Sequence, residues 1–380
     1  MSLTPRERVL AAVDHREPDR VPTALWGSWY GVTDDLYFQL LEIFGWDPVE
    51  PFRPGGLHSV NYYDDRLLAE LGTDLRYVAP GSTAETSRRG PNGADGWGLR
   101  WTKRGPYRAA THHPLASATV DEIEAYSFPS PEAVQADEVR RRLEKIAALD
   151  DEYAVVGRAV SSYGFFEMAQ ALRKHDRLLM DLIRAPDVVH SLVGRLFDCY
   201  TGLIGRFLDV AGEHLDLLEL PGDDFAGNEG PLISPSTFDA FFKMPYERLI
   251  AFIKERTPHI RVVYHSDGAV TPFLPRLIDI GVDVFHPLEP LEATDLEAVK
   301  DTYGRELAFL GAIDIRQALP GREEDVVREV RTRLAQLGGG GGYILAPSNH
   351  LQPDVPPENV IALYRAAQEL GQYPLDLSDI

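Results

Sequence analysis

The amino-acid sequence predicts an α/β fold, namely a single (β/α)₈ TIM barrel with a β-hairpin inserted after the second strand, formed as one domain by residues 1–380. Three observations predict this fold. Eight short apolar runs end at Gly, Pro or Asp, helical patterns alternate with them, and no shift in composition divides the chain. Most of the runs are continuously apolar, which is typical of parallel strands that are buried on both faces.

The predicted elements follow from local patterns. The predicted strands are residues 21–27, 75–79, 154–160, 215–221, 261–265, 282–287, 307–312 and 342–347. The main predicted helices are residues 191–210, 235–256, 271–280, 295–303, 323–337 and 356–370. In the first of these helices an apolar face repeats at spacings of three and four, and Cys199 beside that face is interpreted as a core residue. Residues 80–114, where tryptophan and glycine recur, are expected to hold the inserted hairpin.

The composition excludes several classes of protein. The chain has 59 acidic and 38 basic residues, and the formal net charge of −21 repels nucleic acid and anionic membrane surfaces. Its one cysteine, Cys199, excludes an internal disulfide, an iron–sulfur cluster and a zinc site built from several thiolates. No apolar run is long enough to span a membrane and the first residues do not resemble a secretory signal, so we expect a soluble, cytoplasmic protein.

Polar residues follow the predicted strands at the end of the barrel that carries the active site in this fold. His265 and Asp267 lie two residues apart at the end of one strand, where alternation turns both side chains to the same side. With Asp224, Glu289 and His350 they offer nitrogen and oxygen ligands suited to zinc, manganese or iron. The alternative is that these groups pair with arginines or cap helices. The sequence has no Walker A, GxGxxG, HExxH or GxSxG motif that would indicate another chemistry.

The remaining candidates are arginines and aromatic residues near strand ends. An arginine there holds a substrate carboxylate in a bidentate fork or pairs with a neighbouring acid, and aromatic rings either line a pocket or pack in the core. The predicted catalytic residues are His265, Asp267, Asp224, Asp223 and Arg76. The predicted substrate-binding residues are Trp26, Trp29, Tyr163, Arg158 and Asn349, and the predicted metal ligands are His265, Asp267, Glu289 and His350.

Several segments match a known pattern: TPRERVLAAVDHREPDRVP, GNEGPLISPSTFDAFFKMPYERLI, RVVYHSDG, LPRLIDIGVDVFHPLEP and GGYILAPSNHLQPDVPPENVIALY. Together they resemble the uroporphyrinogen decarboxylase superfamily, which includes uroporphyrinogen decarboxylase itself and the cobamide-dependent methyltransferases. The segments span nearly the whole chain, and their order is specific. The resemblance implies one (β/α)₈ barrel with its pocket at the C-terminal mouth, in agreement with the strand pattern.

The chain departs from both branches of that superfamily. True uroporphyrinogen decarboxylases carry an arginine-containing MRQAGR segment that grips substrate carboxylates, whereas the matching stretch here, TALWGSWYGVTDD, has no arginine. Asp74 roughly matches the region that holds the decarboxylase's aspartate. The methyltransferases bind zinc through a His-x-Cys pair and a later cysteine; here His265 keeps the histidine, Asp267 replaces the first cysteine and Asn349 falls near the second. The resemblance therefore implies a ligand set harder than thiolates, which favours activation of an oxygen-bearing group or water.

Two hypotheses of different reaction class follow. In the first, a divalent metal such as zinc assists demethylation of a small methylated ether or amine, and the methyl group passes to a corrinoid carried by a partner protein. In the second, the protein is a decarboxylase, a lyase without a cofactor, and acts on uroporphyrinogen or on a smaller aromatic or pyrrolic acid held by Arg76, Arg100 or Arg158. A non-enzymatic binding role is the third and least favoured interpretation. Family analogy also favours a homodimer.

Overall fold

The computed structural model describes residues 3–26, 31–47, 64–81, 93–104 and 107–376. Its strands are β1 (Leu75–Val78), β2 (Arg100–Arg104), β3 (Tyr107–His112), β4 (Ala154–Gly157), β5 (Leu217–Glu219), β6 (Ala226–Gly227), β7 (Gly230–Pro231), β8 (Arg261–His265), β9 (Val284–His286), β10 (Ala308–Ile313) and β11 (Tyr343–Pro347). Its α-helices are α1 (Pro5–Val13), α2 (Asp34–Phe44), α3 (Asp65–Glu70), α4 (Val120–Glu124), α5 (Ala136–Ala147), α6 (Phe165–Arg173), α7 (His175–Arg184), α8 (Pro186–Ala211), α9 (Pro235–Phe241), α10 (Lys243–Arg256), α11 (Leu274–Asp279), α12 (Leu296–Tyr303), α13 (Glu323–Leu337) and α14 (Pro357–Leu370). Short 3₁₀ helices lie at Pro131–Ala133, Gly212–His214 and Thr271–Phe273.

The main sheet is parallel and has the strand order β1-β4-β5-β8-β9-β10-β11. Each of the seven predicted runs from residue 75 onward overlaps one strand of this sheet, and only β10 extends past its run, by one residue to Ile313. The strands are short, and their residues are almost entirely buried, because helices cover the outer face and side chains fill the inner one. The chain therefore has the α/β architecture that the continuous apolar runs predict.

The two edge strands of the sheet lie on either side of one extended segment near the beginning of the chain. The carbonyl of Thr23 accepts a hydrogen bond from the amide of Asp74, which directly precedes β1. On the other side, the amide of Ala24 donates to the carbonyl of Leu345 in β11, and the amide of Leu345 donates to the carbonyl of Pro22. The sheet is therefore curled in the manner of a TIM barrel. The segment pairs through a single bridge rather than as a full strand, and the last residue of the predicted run 21–27 lies outside the described residues.

Two small antiparallel pairs stand apart from the main sheet. Strands β2 and β3 pair with each other between β1 and β4 in the chain, and β6 and β7 pair directly after β5. In β2 the ring of Trp101 stacks on that of Tyr163, with 6.3 Å between the ring centroids. The first pair therefore packs beside the residues that follow β4.

The predicted helices are present, with three differences: the helix predicted over residues 191–210 begins earlier, at Pro186, the one over 271–280 begins as a 3₁₀ turn, and the one over 235–256 is divided. Cys199 of α8 is buried, as predicted, and its thiol donates to the carbonyl of Pro129. The predicted helix over residues 235–256 is divided at Phe242 into α9 and α10. Pro245 explains the division, because it has no amide hydrogen to donate to the carbonyl of Phe241 and is tolerated only in the first turn of a helix. In the parts of the chain that the structure describes, no helix is both long and apolar enough to cross a bilayer.

Candidate active site

The carboxyl ends of β5, β8 and β9 bring a group of polar side chains together inside the curled sheet. His265 ends β8 and is paired in register with His286, which ends β9. The residue before it, Tyr264, points the other way and contacts the ring of Tyr246 in α10. Alternation therefore places both histidines on the inner face of the sheet, at the end where parallel barrels carry their active sites.

His265 forms a compact triad with Asp224 and Asp267. Its Nε2 atom is 3.7 Å from Oδ1 of Asp267 and 3.9 Å from Oδ1 of Asp224. One ligand atom from each residue lies within 4.8 Å of the other two. The imidazole is buried, whereas about a third of each carboxylate side chain is exposed, so the triad opens toward solvent on its carboxylate side.

Two hydrogen bonds, which join the loops after β5, β8 and β11, fix the two carboxylates. The amide of Asp267 donates to Oδ1 of Asp224 at 2.7 Å, which ties the loop after β8 to the loop after β5. The side-chain amide of Asn349, after β11, donates to Oδ2 of Asp267 at 2.8 Å. Asn349, predicted as a substrate-binding residue, thus lies at the site and orients one of its carboxylates.

Gly268 is required by the close approach of the loops beside the triad. Its φ angle is +93°, and a Cβ atom at this position would lie 2.5 Å from the carbonyl oxygen of Ala226. Its amide donates to Glu289 at 2.6 Å. Only glycine combines this conformation with this proximity, so the position of Asp267 depends on the residue that follows it.

Glu289 supports the loop rather than completing the triad. Its carboxylate accepts the hydrogen bond from Gly268 and forms an ion pair with Arg316 at 2.9 Å. Burial raises the pKa of Glu289, while Gly268 and Arg316 act in the opposite direction. Among the described residues, the ligand atoms that converge are those of Asp224, His265 and Asp267, and neither Glu289 nor His350 is part of that group.

One oxygen of the triad lacks a hydrogen-bond partner. Oδ1 of Asp267 is buried and accepts no hydrogen bond within the described ranges. Burial raises the pKa of Asp267 well above its usual range, and the negative charges of Asp224 and Glu289 act in the same direction. A buried carboxylate oxygen in this position is unfavourable unless a proton or a cation satisfies it.

Glu167, in the first turn of α6, is a site residue that the sequence patterns do not single out. Burial, together with the charges of Asp224, Asp223 and Asp267, raises the pKa of the Glu167 carboxyl well above its usual range, while the backbone amide of Asp224 acts in the opposite direction. The sequence feature that points to Glu167 is its position as an acid in the first turn of the helix that follows β4. That signal is weak, because most such acids only complement the helix dipole.

Asp223 lies beside the triad in the chain but serves the fold. It is fully buried and accepts hydrogen bonds from the amides of Phe166 and Glu167 and from the hydroxyl of Tyr246. It therefore caps α6, whose own N-cap residue, Gly164, has no side chain to do so. Burial raises the pKa of Asp223 to about 7, and the three hydrogen bonds act in the opposite direction.

The predicted arginines are divided between the two faces of the sheet. Arg76 is buried on the outer face of β1, donates to the carbonyl of Leu75 and lies over the ring of Tyr153 at 3.5 Å. The structure does not bring it to the triad. Arg158 is buried on the inner face, where its Nε is 3.2 Å from Glu219. Its guanidinium lies 4.7 Å from the ring centroid of Trp26, which neighbours His286, and this places it near the site. Burial lowers the pKa of His265, and the charge of Arg158 acts in the same direction.

The predicted aromatic residues also occupy different places. Trp26 is fully buried, with its ring 5.8 Å from that of His286 and the guanidinium of Arg158 4.7 Å from its ring centroid. Tyr163 is partly buried and stacks on Trp101. Trp29 lies outside the described residues. Trp26 is therefore the one that borders the histidine pair directly.

Asp74, the residue in the region of the decarboxylase aspartate, lies at the opposite end of the sheet. It directly precedes β1, and its carboxylate forms buried ion pairs with Arg8 and Arg20. It also accepts a hydrogen bond from the amide of Thr23. The carboxylate is fully occupied by these partners and holds the beginning of the chain against β1.

The triad suits a divalent cation. One imidazole nitrogen and two carboxylate oxygens form a mixed nitrogen and oxygen set of the kind that binds zinc, manganese or iron. Such an ion would satisfy the buried Oδ1 of Asp267, which has no hydrogen-bond partner among the described residues, and the partly exposed carboxylates would leave room for a further ligand. The residues present therefore fit a metal centre held by Asp224, His265 and Asp267.

Comparison with known proteins gives matches to one family. A family model described as uroporphyrinogen decarboxylase (URO-D) matches residues 100–370. The curated uroporphyrinogen decarboxylase of Legionella pneumophila (strain Corby) is 27% identical over 147 residues, which cover 38% of this chain and 40% of that enzyme. The chain thus matches less than half the length of that relative. The uroporphyrinogen decarboxylase of Alkalilimnicola ehrlichii is 24% identical over 291 residues, which cover 73% of each protein.

A solved structure extends the similarity over the whole fold. A methyltransferase from Methanosarcina mazei has a TM-score of 0.67 against this chain and covers 97% of this chain and 99% of its own, at 20% sequence identity. At this level of identity the likeness concerns the fold. The chain is therefore similar in sequence to decarboxylases and similar in fold to a methyltransferase.

Proposed function

The chain belongs to the uroporphyrinogen decarboxylase family, and from that premise we propose that it is a metal-dependent methyltransferase. The proposed reaction removes a methyl group from a small methylated ether or amine and passes it to a corrinoid protein. The observation that carries this proposal is the convergence of Asp224, His265 and Asp267 at the carboxyl ends of the strands. The fold likeness to a methyltransferase agrees with it.

The residues of the triad have distinct roles in the proposed reaction. His265 donates a ring nitrogen, and Asp224 and Asp267 donate one oxygen each, while Asn349 orients Asp267. A divalent ion bound there supplies Lewis-acid polarisation of the heteroatom that carries the methyl group. In the proposed transfer the carbon–heteroatom bond breaks, the heteroatom keeps the electron pair and takes up a proton, and reduced cobalt of the partner's corrinoid, Co(I), supplies the electron pair of the new carbon–cobalt bond. A hard oxygen and nitrogen set suits an oxygen or nitrogen leaving atom better than a thiol.

Metal analysis of the purified protein tests the proposal most directly. We expect close to one equivalent of a divalent metal in the wild type and in the control variant His259→Ala, which removes an exposed imidazole. We expect His265→Ala and Asp267→Ala to lose the metal while keeping the wild-type circular dichroism spectrum. A wild-type protein that neither contains nor takes up zinc, cobalt or manganese contradicts the proposal.

The reaction class has its own test. The metal-loaded protein is mixed with reduced cobalamin and a panel of methoxylated aromatics and methylamines, and methylation of cobalt is followed by absorption. We expect one class of donor to give methylcobalamin with the wild type and His259→Ala, and about the uncatalysed rate with Asp224→Ala. Equal rates with wild type and Asp224→Ala would contradict the assigned role of the triad.

Decarboxylation is the second candidate, and the buried Arg158 favours it. Its guanidinium lies on the inner face of the sheet near His265, where it is able to hold a carboxylate of uroporphyrinogen or of a smaller aromatic or pyrrolic acid. The names of the curated relatives agree with this candidate. Against it, Arg158 is already paired with Glu219, and Asp74 is held by arginines at the far end of the sheet. Release of carbon dioxide by chelator-treated protein, lost in Arg158→Ala, would favour decarboxylation over methyl transfer.

We also propose that residues 1–380 form one domain with a complete (β/α)₈ barrel. The hydrogen bonds on both sides of residues 22–24 support this, since they put this segment in the first strand position. The antiparallel pair β2 and β3 then corresponds to the inserted hairpin. We expect one cooperative unfolding transition in urea, with the same midpoint by fluorescence and by circular dichroism. Two separated unfolding transitions would contradict a single domain.

A further inference from the structure

The two histidines on the inner face of the sheet are joined by a direct hydrogen bond. Nδ1 of His265 lies 2.9 Å from Nδ1 of His286, and the two rings are 5.1 Å apart between centroids. His286 is fully buried, and the parallel register of β8 and β9 sets the two side chains next to each other. The backbone therefore fixes this contact.

A hydrogen bond between two Nδ1 atoms contains one proton, so the two rings have different roles. In the first arrangement His265 carries the proton at Nδ1 and donates it to His286. Nε2 of His265 then has a free lone pair, and this is the atom that faces Asp224 and Asp267. In the second arrangement His286 is the donor, and the proton of a neutral His265 lies at Nε2. Only the first arrangement makes His265 a metal ligand.

We propose that His286 is a positioning residue that accepts the Nδ1 proton of His265 and thereby holds Nε2 of His265 ready to bind the metal. This inference rests on the proposed metal-dependent function. Metal-binding histidines usually donate their second nitrogen to a carboxylate or a backbone carbonyl. Here a second imidazole takes that place, so a metal bound at Nε2 of His265 would be linked through that ring to His286.

The surroundings of His286 suit an acceptor that stays neutral. Its ring is fully buried beside Trp26, and the guanidinium of Arg158 lies 4.7 Å from the ring centroid of the same indole. A fully buried ring close to a guanidinium is more stable neutral than charged. A neutral imidazole with its lone pair at Nδ1 carries its proton at Nε2.

The proposal accounts for a second observation. Nε2 of His286 is buried and makes no hydrogen bond within the described part of the chain. Since the proposed tautomer places a proton on this atom, it is a buried donor that points away from the metal. An acceptor atom of a bound substrate or a water molecule would satisfy it. His286 therefore links the metal ligand to the interior of the barrel as well as fixing its tautomer.

The first test is cobalt binding by the full-length protein, followed by the visible absorption of Co²⁺. His286→Leu removes the acceptor, whereas His286→Asn places an amide oxygen close to the former Nδ1 position. We expect His286→Leu to weaken Co²⁺ binding by about 10- to 100-fold and His286→Asn by much less. The control variant His259→Leu is expected to bind Co²⁺ as the wild type does. Equal affinity of wild type and His286→Leu would overturn the proposal.

The second test needs no variant and so does not depend on how His286→Leu folds. In protein labelled with ¹⁵N at histidine and loaded with zinc, ¹⁵N chemical shifts report which nitrogen of each ring carries the proton. We expect the Nδ1–H form for His265, the Nε2–H form for His286, and a coupling between the two Nδ1 atoms. A proton on Nδ1 of His286 would overturn the proposal. Absence of zinc binding by the wild type would instead contradict the proposed metal function, so the two failures are distinguishable.

Discussion

Asp223 and Asp224 are adjacent in the chain, yet their carboxylates bind different parts of the molecule. Asp223 is fully buried and accepts hydrogen bonds from two amides at the start of α6 and from Tyr246. Asp224 is partly exposed and accepts the amide of Asp267 next to His265. Both follow the end of β5, and the sequence pattern does not distinguish them. Asp223 nevertheless supports a helix, whereas Asp224 faces the candidate metal site.

The two aspartates are therefore expected to respond differently to substitution by alanine. Asp223→Ala removes a helix cap, worth about 1 kcal/mol, and leaves the amides of Phe166 and Glu167 without their side-chain acceptor, which costs about 1–3 kcal/mol more. Asp224→Ala is expected to change the free energy of unfolding of the metal-free protein little and to abolish Co²⁺ binding. Urea unfolding and cobalt absorption measure the two effects. Loss of stability in Asp224→Ala with intact metal binding would reverse the assignment.

Glu167 is expected to make the stability of the metal-free protein depend on pH. Its pKa is raised in the folded state by burial and by Asp224, whereas the unfolded chain loses this proton near pH 4.3. Above that pH the folded state binds more protons, so its stability falls as pH rises. We expect Glu167→Gln to reduce this slope by at most about 1.4 kcal/mol per pH unit between pH 5 and 8.

The measurement is urea unfolding in the presence of a chelator at several pH values. Glu297→Gln is the matched control, because Glu297 is also an acid in the first turn of a helix but is exposed. A slope that is the same in wild type, Glu167→Gln and the control would show that Glu167 does not share the charge of the triad. Addition of zinc is expected to weaken the pH dependence in the wild type, since the cation satisfies the carboxylates.

Much of this site follows from the sequence, because its position depends on topology. Continuous apolar runs predict buried parallel strands, and the carboxyl ends of such strands meet at one end of a barrel. That is sufficient to bring Asp224, His265 and Asp267 together. Alternation along β8 also predicts that His265 faces inward.

Other properties of the site depend on contacts between residues far apart in the chain, which local sequence patterns do not predict. Strand β5 ends at Glu219, so alternation cannot tell Asp223 from Asp224 four or five residues later. Glu167 reaches the site only because Asp223 holds the start of α6 there. The outward direction of Arg76 follows once β1 is located, since its neighbour Tyr77 contacts the interior residue Trp26.

Asp74 is expected to be a stability residue with no effect on the metal site. Its buried carboxylate pairs with Arg8 and Arg20, so Asp74→Ala removes the acidic partner of Arg20 and leaves Arg8 with Asp19 alone, which is expected to cost about 3–5 kcal/mol. The control Asp301→Ala, at an exposed position, is expected to stay within about 0.5 kcal/mol of the wild type. Under conditions where Asp74→Ala is folded, its Co²⁺ affinity should equal that of the wild type. Weaker Co²⁺ binding by the folded variant would place Asp74 in the functional site.

Asn349 is expected to act on metal affinity, because its side-chain amide holds Oδ2 of Asp267 at 2.8 Å and leaves Oδ1 directed toward His265. In Asn349→Leu the carboxylate is free to rotate, so we expect Co²⁺ binding to weaken by about 10-fold or more. The exposed Asn228 provides the control variant Asn228→Leu. Cobalt titrations separate this role from direct substrate contact, which would raise KM for the methyl donor while leaving Co²⁺ affinity unchanged. A raised KM with unchanged Co²⁺ affinity would support the substrate-binding role that the position of Asn349 after the last strand predicts. It would also show that Asp267 does not need Asn349 for its orientation.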